Sequence, residues 1–374
     1  MGNTAQNVYI EKLASDGNGI GRVQGKVVFV PFVIPGETVD IEITEIKKQY
    51  DIGKVLEIRK PSPDRIEPKC SYHGTCGGCT LQHIKDMKQT EYKKRMLQDI
   101  FQRTGKQEIN LPKAISGNYW NYRNRFQMHK ADKGRVGFKK QLSTEILDIH
   151  HCPVIVPDIE LVRSKLSNLG PGRYTVWAED SSQLFIENIN KEISTTILST
   201  HIQFDMSGFF QSNKQMLEKL LKKIHVYWYG TSGADLYAGV GVLSLHIMEK
   251  MQKSILVEND SKAIPHLKAN TDRFNPSIIE MPVETALSRY KNNFKNLDTI
   301  LLDPPRSGIH KKAVSALSEV KPKRILYCSC NPVTLARDMK RFHSRGYHLQ
   351  HIELFDFYPQ TPHMECLTII EENR

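Results

Sequence analysis

From about residue 201 onward, short apolar and β-branched runs alternate with helical stretches, and this alternation restricts the second half of the chain to a doubly wound α/β sheet. GADLYAG, KSILVEND, LDTILLDPP, KRILYCSC and ECLTIIE read as strands, with KQMLEKLLKKI and KKAVSALSEV as helices between them. Most of these strands end in a polar or glycine-containing motif. Open sheets of this class bind ligands in the crevice outside the carboxyl ends of their strands, so the motifs are expected to converge there.

GADLYAGVGVLSLHI, residues 233–247, predicts a strand, a tight turn at Gly239 and Gly241, and an apolar helix whose N-terminus would receive a ligand. Glu258 closes the next strand, the position from which a carboxylate accepts ribose hydroxyls; a capping or surface glutamate is the plainer alternative. DPPRSG, residues 303–308, follows TILL, and its paired prolines fix the backbone and present Asp303 and Arg306 rigidly. YCSCNPVTLARD, residues 327–338, ends a strand and begins a helix. Cys330 is therefore expected beside a helix N-terminus, where the dipole lowers a thiol pKa, although a buried core thiol fits that motif alone equally well. Cys328 reads as packing. Glu365, in PHMEC, leads into the last strand.

The first half differs. Residues 1 to about 60 carry period-2 alternation broken by glycine-rich turns, which predicts a small β-barrel. Its "I..LA.DG.GIGR..GKVVFVPF..PGE.V" pattern resembles a TRAM domain, an OB-like RNA-binding module. PSPDRIEPKC marks a boundary, and residues 81 to about 103 predict a helix with Ile84, Met87, Met96, Leu97, Ile100 and Phe101 on an apolar stripe and a basic opposite face. Residues 112–200 read as β-rich. The expected organisation is a barrel over 1–60, a middle domain over 61–200 and a catalytic domain over 201–374.

SGFFQSN, DLYAGVG, VEND, DPPRSG, SCNP.TLARD and PHMEC, in that order, resemble the RNA 5-methyluridine methyltransferase family. The resemblance implies a Rossmann-like, S-adenosylmethionine-dependent domain, with Cys330 as nucleophile, Glu365 as base, and Gln211, Tyr237, Glu258 and Asp303 as cofactor contacts. Val242 stands where the family often has Asn, which puts one methionine-side contact in doubt. A thiolate to attack carbon 6 and a base to remove the carbon-5 proton are what uracil alkylation requires. Exocyclic-amine methyltransferases have an aromatic residue where Arg306 stands. Cytosine-5 enzymes carry a Cys inside the proline motif, which DPPRSG lacks, so uracil is favoured. Arg123 and Arg125 match a family segment associated with RNA contact, with surface salt bridges as the alternative.

Seven cysteines divide into two groups, and Cys70, Cys76, Cys79 and Cys152 lie outside the catalytic motifs. Three clustered thiolates and a distant fourth suit a [4Fe–4S] cubane, with four-thiolate zinc as the rival. Iron–sulfur members of the family show the same pattern, which carries all four positions over as ligands and leans towards ribosomal RNA, with transfer RNA as the other substrate. The balance of 52 Lys and Arg against 41 Asp and Glu, +11 overall, favours a polyanionic partner. No apolar run is long enough to cross a bilayer, and no secretory signal opens the chain, so a cytoplasmic, monomeric enzyme without membrane contact is expected.

Overall fold

The computed structural model describes residues 4–132 and 134–372. Strands Ser277–Glu280, Lys253–Glu258, Ser232–Leu236, Thr299–Leu302, Arg324–Ser329, Glu365–Glu372, Tyr347–Phe355 and Lys113–Ile115 lie side by side in that order in the catalytic sheet. The first five are mutually parallel and Glu365–Glu372 is antiparallel to both neighbours. Strand order reverses between Ser232–Leu236 and Thr299–Leu302, which creates the ligand crevice. Ile300, Leu301, Leu302, Ile325 and Leu326 are completely buried because helices cover both faces, as continuous β-branched and leucine runs demand.

The sequence reading finds five of these strands and misses Ser277–Glu280, Tyr347–Phe355 and Lys113–Ile115. The last comes from the first half of the chain and pairs in parallel with Glu353, Leu354 and Phe355. The helix predicted over 81–103 forms at Asp86–Ile100 and continues as a single π-turn, Phe101–Gly105. It folds back onto the catalytic half: Tyr92, Met96, Leu97, Ile100 and Phe101 share a core with Leu335, Ala336, Met339 and Phe342. Met87 departs from the expected stripe and is exposed, whereas Gln89, Thr90 and Lys93 are buried. The covered face is thus partly polar, and the apolar pattern is set for a partner that supplies carboxylates and carbonyls.

The helix expected after the glycine turn does not form. Residues 242–247 are successive turns that end in the 3₁₀ segment Met248–Lys250. The Ser244 hydroxyl donates to Gly241 O at 3.3 Å, competing with the helical ladder, and tertiary packing buries Leu243, Leu245, Ile247 and Met248 without it.

The barrel has six strands, Thr4–Tyr9, Lys12–Leu13, Gly19–Val23, Lys26–Val30, Thr38–Ile46 and Tyr50–Lys60, around Val8, Ile10, Val28, Val30, Val33, Val39 and Ile41. A Cβ at Gly21 would strike the Val8 side chain and the Tyr9 carbonyl, so glycine is what lets the sheet close. Glu37, fully buried, accepts from Arg65 Nε and Nη2 at 2.6 and 2.7 Å and joins the barrel to the proline-rich segment. The middle of the chain holds an antiparallel sheet of Ile146–Asp148, Val136–Lys139, Arg125–Lys130, Gly172–Ala178 and Leu184–Ile186, covered by helix Ile159–Ser167, and a hairpin of Glu192–Ile197 and Thr200–Asp205. Among the described residues, no helix is long and apolar enough to cross a membrane.

Candidate active site

Every strand bordering the crevice delivers a functional side chain. Tyr237 follows Ser232–Leu236 in the left-handed region at φ 71°, a strained conformation that clusters at ligand sites. Asp303 follows Thr299–Leu302, Cys330 follows Arg324–Ser329, and Gln211 lies just before helix Lys214–Tyr227. Ser329 pairs with Cys366 as the last pair of the antiparallel ladder, and Cys330 and Glu365 stand just past it.

The electrostatics agree with that placement. Burial pushes the Cys330 thiol up to about 11, helped by the Glu365 and Asp303 carboxyls and opposed by Arg306. The lowered thiol pKa expected from the helix dipole is therefore corrected: burial and two acids outweigh a dipole reaching one residue beyond the Asn331 cap. Burial also raises Glu365 well above the carboxylate range, with Asp303 adding to it and Arg306 opposing. Tyr358, which burial raises to about 12, also feels Glu365, Cys330 and Arg123 and bonds to Ser212. Burial holds His363 down at about 4, with Arg306, Lys93 and Arg123 contributing.

The loop carrying Arg306 is held by the helix behind Cys330. Asn331 Nδ2 and Thr334 Oγ1 donate to Arg306 O at 3.0 and 3.2 Å, and Arg337 Nη2 donates to Ser307 O at 2.7 Å. Asp338, fully buried, accepts from Ile309 N–H, the Tyr327 hydroxyl, Arg337 and Arg341. The TLARD residues are thus the scaffold of DPPRSG. Cys328 and Cys366 are core residues.

Three observations suit a bound sulfonium amino acid and nucleoside. Gln211 is buried with Oε1 unpartnered. Asp235, which sequence reasoning passed over, is buried at the crevice end of its strand with both carboxyl oxygens unpartnered, and burial raises it to about 7. Its signal was a carboxylate four residues before Gly239, inside an otherwise apolar strand. A Cβ built on Gly239 would meet nothing within 4 Å, so the turn leaves open space. Glu258 is already engaged: Oε2 accepts from Gly239 N–H at 2.7 Å, and Oε1 from Asn259 and Asp260 N–H at 2.6 and 2.7 Å. These bonds aim its carboxylate at the turn and leave further lone pairs for a ligand.

A cavity of about 750 Å³ runs from Arg306, Tyr358 and His363 past Arg123 to Cys70, Cys76, Cys79 and Cys152. Arg123 lines the cavity, donates through Nε to Arg125 O at 3.1 Å, and acts through its charge on Tyr358 and His363. Arg125 instead donates through Nη2 to Met206 O and Gly208 O, which fixes the backbone ahead of Gln211 and leaves that nitrogen engaged in the fold. All four cysteine thiols are raised by burial, Cys79 to about 12, and each of Cys76, Cys79 and Cys152 also feels its neighbours' charge. Yet among the described residues no three His, Cys, Asp or Glu side chains stand close enough to hold a metal ion. Cys70 N–H donates to the Gln82 side-chain oxygen at 3.1 Å, and Cys76 forms an isolated bridge with Lys140. The expected ligand set lines one cavity wall, and its arrangement shows neither a cubane site nor a four-thiolate zinc site. Gly74, at φ +81°, makes the turn between Cys70 and Cys76.

A Rossmann-like sheet whose crevice gathers a thiol, several enclosed acids and an open glycine turn, preceded by a small β-barrel, defines an RNA-modifying methyltransferase. The tRNA (uracil-5-)-methyltransferase family model matches residues 181–373, and the TRAM domain model matches residues 1–56. An uncharacterized RNA methyltransferase of Treponema denticola is 33% identical over 93% of this chain and 94% of its own. The 23S rRNA (uracil(1939)-C(5))-methyltransferase RlmD of Shewanella woodyi is 28% identical over 98% of this chain and 95% of its own. In structure, the Pyrococcus abyssi tRNA (uracil-54, C5)-methyltransferase, solved with S-adenosyl-L-homocysteine, superposes with a TM-score of 0.78 at 22% identity, covering 98% of this chain and all of that one. The chain belongs to the tRNA (uracil-5-)-methyltransferase family and is an RNA uracil-C5 methyltransferase.

Proposed function

We propose that this enzyme methylates carbon 5 of a uridine in 23S ribosomal RNA through a covalent adduct at Cys330, with S-adenosylmethionine as donor. The observation that carries this reading is that Cys330 and Glu365 stand just past the last ladder pair, Ser329–Cys366, where Glu365 acts on the thiol and Asp303 and Arg306 act on both. S-adenosylmethionine supplies an electrophilic methyl group; Gln211, Tyr237, Glu258, Asp303 and Asp235 hold it, the orphaned oxygens of Gln211 and Asp235 receiving its ammonium and N–H donors.

The target base leaves its stack at a cost of a few kcal/mol, least in a loop, and enters the cavity beside Arg306 and Tyr358. Cys330 Sγ adds to carbon 6, and the electron pair moved to carbon 5 takes the sulfonium methyl of the donor, which departs as the neutral thioether S-adenosylhomocysteine. Arg306 favours the thiolate and so eases loss of the thiol proton to solvent. Glu365 lies in a site that strongly favours its protonated form, so its carboxylate is a base strong enough to take the carbon-5 proton. That proton transfer restores the double bond and expels Cys330. Cys330→Ala is expected to lower turnover by about 10⁴-fold or more while cofactor affinity is kept. Glu365→Gln is expected to leave a methylated RNA–protein adduct that survives denaturing electrophoresis. Full activity of Cys330→Ala excludes this mechanism.

Ribosomal RNA is favoured because full-length relatives are named for it. Mapping 5-methyluridine in total RNA from a deletion strain tests the target, and loss confined to transfer RNA would reassign it. Cys70, Cys76, Cys79 and Cys152 hold a [4Fe–4S] cluster that organises the RNA-facing cavity. Its support is the donor set itself, four partly buried thiols lining one cavity wall, which would hold a cluster through thiolate ligands. Anaerobically purified protein without absorbance near ~400 nm would remove the cluster.

A further inference from the structure

The loop from Asp356 to Met364 ends one residue before Glu365, and its hold on the N-terminal half has no part in the chemistry described so far. Lys93 Nζ is completely buried and donates to Asp356 Oδ1 at 2.6 Å, Tyr358 O at 3.0 Å and His363 O at 2.9 Å. Three acceptors match the three donors of an ammonium. Thr90 Oγ1 donates to the second Asp356 oxygen at 3.1 Å. One turn before Lys93, Gln89 accepts from Gln360 N–H and donates to Gln360 Oε1, both at 2.8 Å. A single face of helix Asp86–Ile100 therefore grips the start, the middle and the end of this loop.

Stability is a weak reason for such a pair. Replacing a buried ion pair by apolar side chains of similar volume is often neutral or stabilising, because desolvation offsets the attraction. What an apolar pair would lack is direction: it could not fix two carbonyls, five residues apart, against one point. Those carbonyls belong to Tyr358 and His363, whose side chains line the cavity, and His363 is two residues from Glu365.

We propose that Lys93 is a positioning residue for the methylation: it pins Tyr358 and His363 by their carbonyls so that the Glu365 carboxylate meets the carbon-5 proton. The proposal rests on the assignment of Glu365 as base. The step it serves breaks the carbon-5 C–H bond, gives the proton to Glu365, returns the electron pair to the carbon 5–carbon 6 double bond, and breaks the C–S bond to release the Cys330 thiolate. A misplacement of about 1 Å costs about a hundredfold in rate. Attack on carbon 6 is spared, because Cys330 is held by its own strand and by Asn331 rather than by this loop.

The test uses the full chain with RNA substrate and S-adenosylmethionine. Lys93→Met combined with Asp356→Leu removes both charges without leaving either buried alone. The expected result is a folded protein with wild-type affinity for S-adenosylhomocysteine, a kcat lowered about a hundredfold, little change in KM, and RNA–protein adduct accumulating on denaturing gels. Lys93→Gln with Asp356→Asn keeps volume and hydrogen-bond donors and is expected to recover about tenfold of that loss. Wild-type turnover in the Met/Leu variant overturns the proposal. So does a kcat loss without adduct, or, should that variant not fold, a Gln/Asn variant with wild-type rate and no adduct. Glu365→Gln is run in parallel: if it traps no adduct the base assignment itself fails, whereas adduct there and none in the Lys93 variants sinks only the pin.

Discussion

Asp298 and Asp303 flank the same short strand, Thr299–Leu302, and their surroundings are opposite. Burial alone would raise Asp298, but Lys323 at 2.7 Å, the Ser232 hydroxyl at 2.8 Å and the N–H groups of Ser232 and Thr231 hold it down at about 2. Burial with no compensating donor pushes Asp303 up to about 7. Asp235, also at the crevice end, is likewise raised to about 7 with both oxygens unpartnered. Asp303 and Asp235, without the lysine and N–H donors that hold Asp298 at the far end or the N–H groups that hold Glu258 at the glycine turn, are left for a ligand that brings its own donors.

The sharpest way to break this contrast is Asp303→Asn. Methylation is expected to fall about a hundredfold or more, since the side chain serves the cofactor or the reacting base. Stability should move the other way. A raised folded-state pKa makes ionisation unfavourable, so the wild-type protein is destabilised as pH rises from the unfolded value of about 4 to about 7 and beyond. Thermal melts of the variant at pH 8 are expected to show a gain on the order of 2–4 kcal/mol, vanishing below pH 4; an equal gain at both pH values would contradict the burial argument.

Cys330 offers a smaller, graded readout. With its thiol pushed up to about 11, iodoacetamide labelling at residue 330, followed by mass spectrometry, is expected to rise about tenfold per pH unit from 7 to 10. Glu365→Gln removes one of the two acids that oppose the thiolate, so it should shift that profile to lower pH. A plateau already reached at pH 7 would mean that the helix dipole, not burial, governs the sulfur.

At the other end of the strand, Asp298→Ala is expected to leave cofactor affinity alone and to cost about 2 kcal/mol at pH 7. A depressed carboxylate pKa contributes stability that is present above about pH 4 and is lost as pH falls through about 2. Denaturant unfolding at pH 7 and pH 2 would therefore separate the variant from the parent only at the higher pH.

The acid at the active end was readable in the sequence because strand-end motifs have local signatures: prolines after TILL, Asn-Pro after Cys330, glycines after GADLY. Cys330 and Glu365 stand out as candidates for that reason, and the family resemblance implies their roles. The sulfur's proton affinity was not readable, since it depends on Glu365 and Asp303 brought in from other strands. Lys93 and Gln89 share the helical face of Met96, Leu97 and Ile100, but their polarity hides them as interior residues until tertiary contact with 356–363 reveals their acceptors. Strand Lys113–Ile115 was missed because three residues carry no periodicity, and the pairing that makes them a strand lies some 240 positions away, at Glu353. Asp235 was hidden by its apolar neighbours.

That distant strand has a bearing on how the molecule can be taken apart. Tyr347–Phe355 would be an open edge in a fragment beginning at the catalytic half, and Phe101, Leu97 and Ile100 would leave a hole over Leu335 and Phe342. The autonomous unit is accordingly discontinuous, comprising residues 86–115 together with the C-terminal half. During synthesis the earlier piece must wait, already exposed by the ribosome, for an edge that is made last. Leu13 and Ile34 of the barrel, with Leu81 and Ile84, reach into that same core, so the barrel too is built onto the shared unit, not hung beside it.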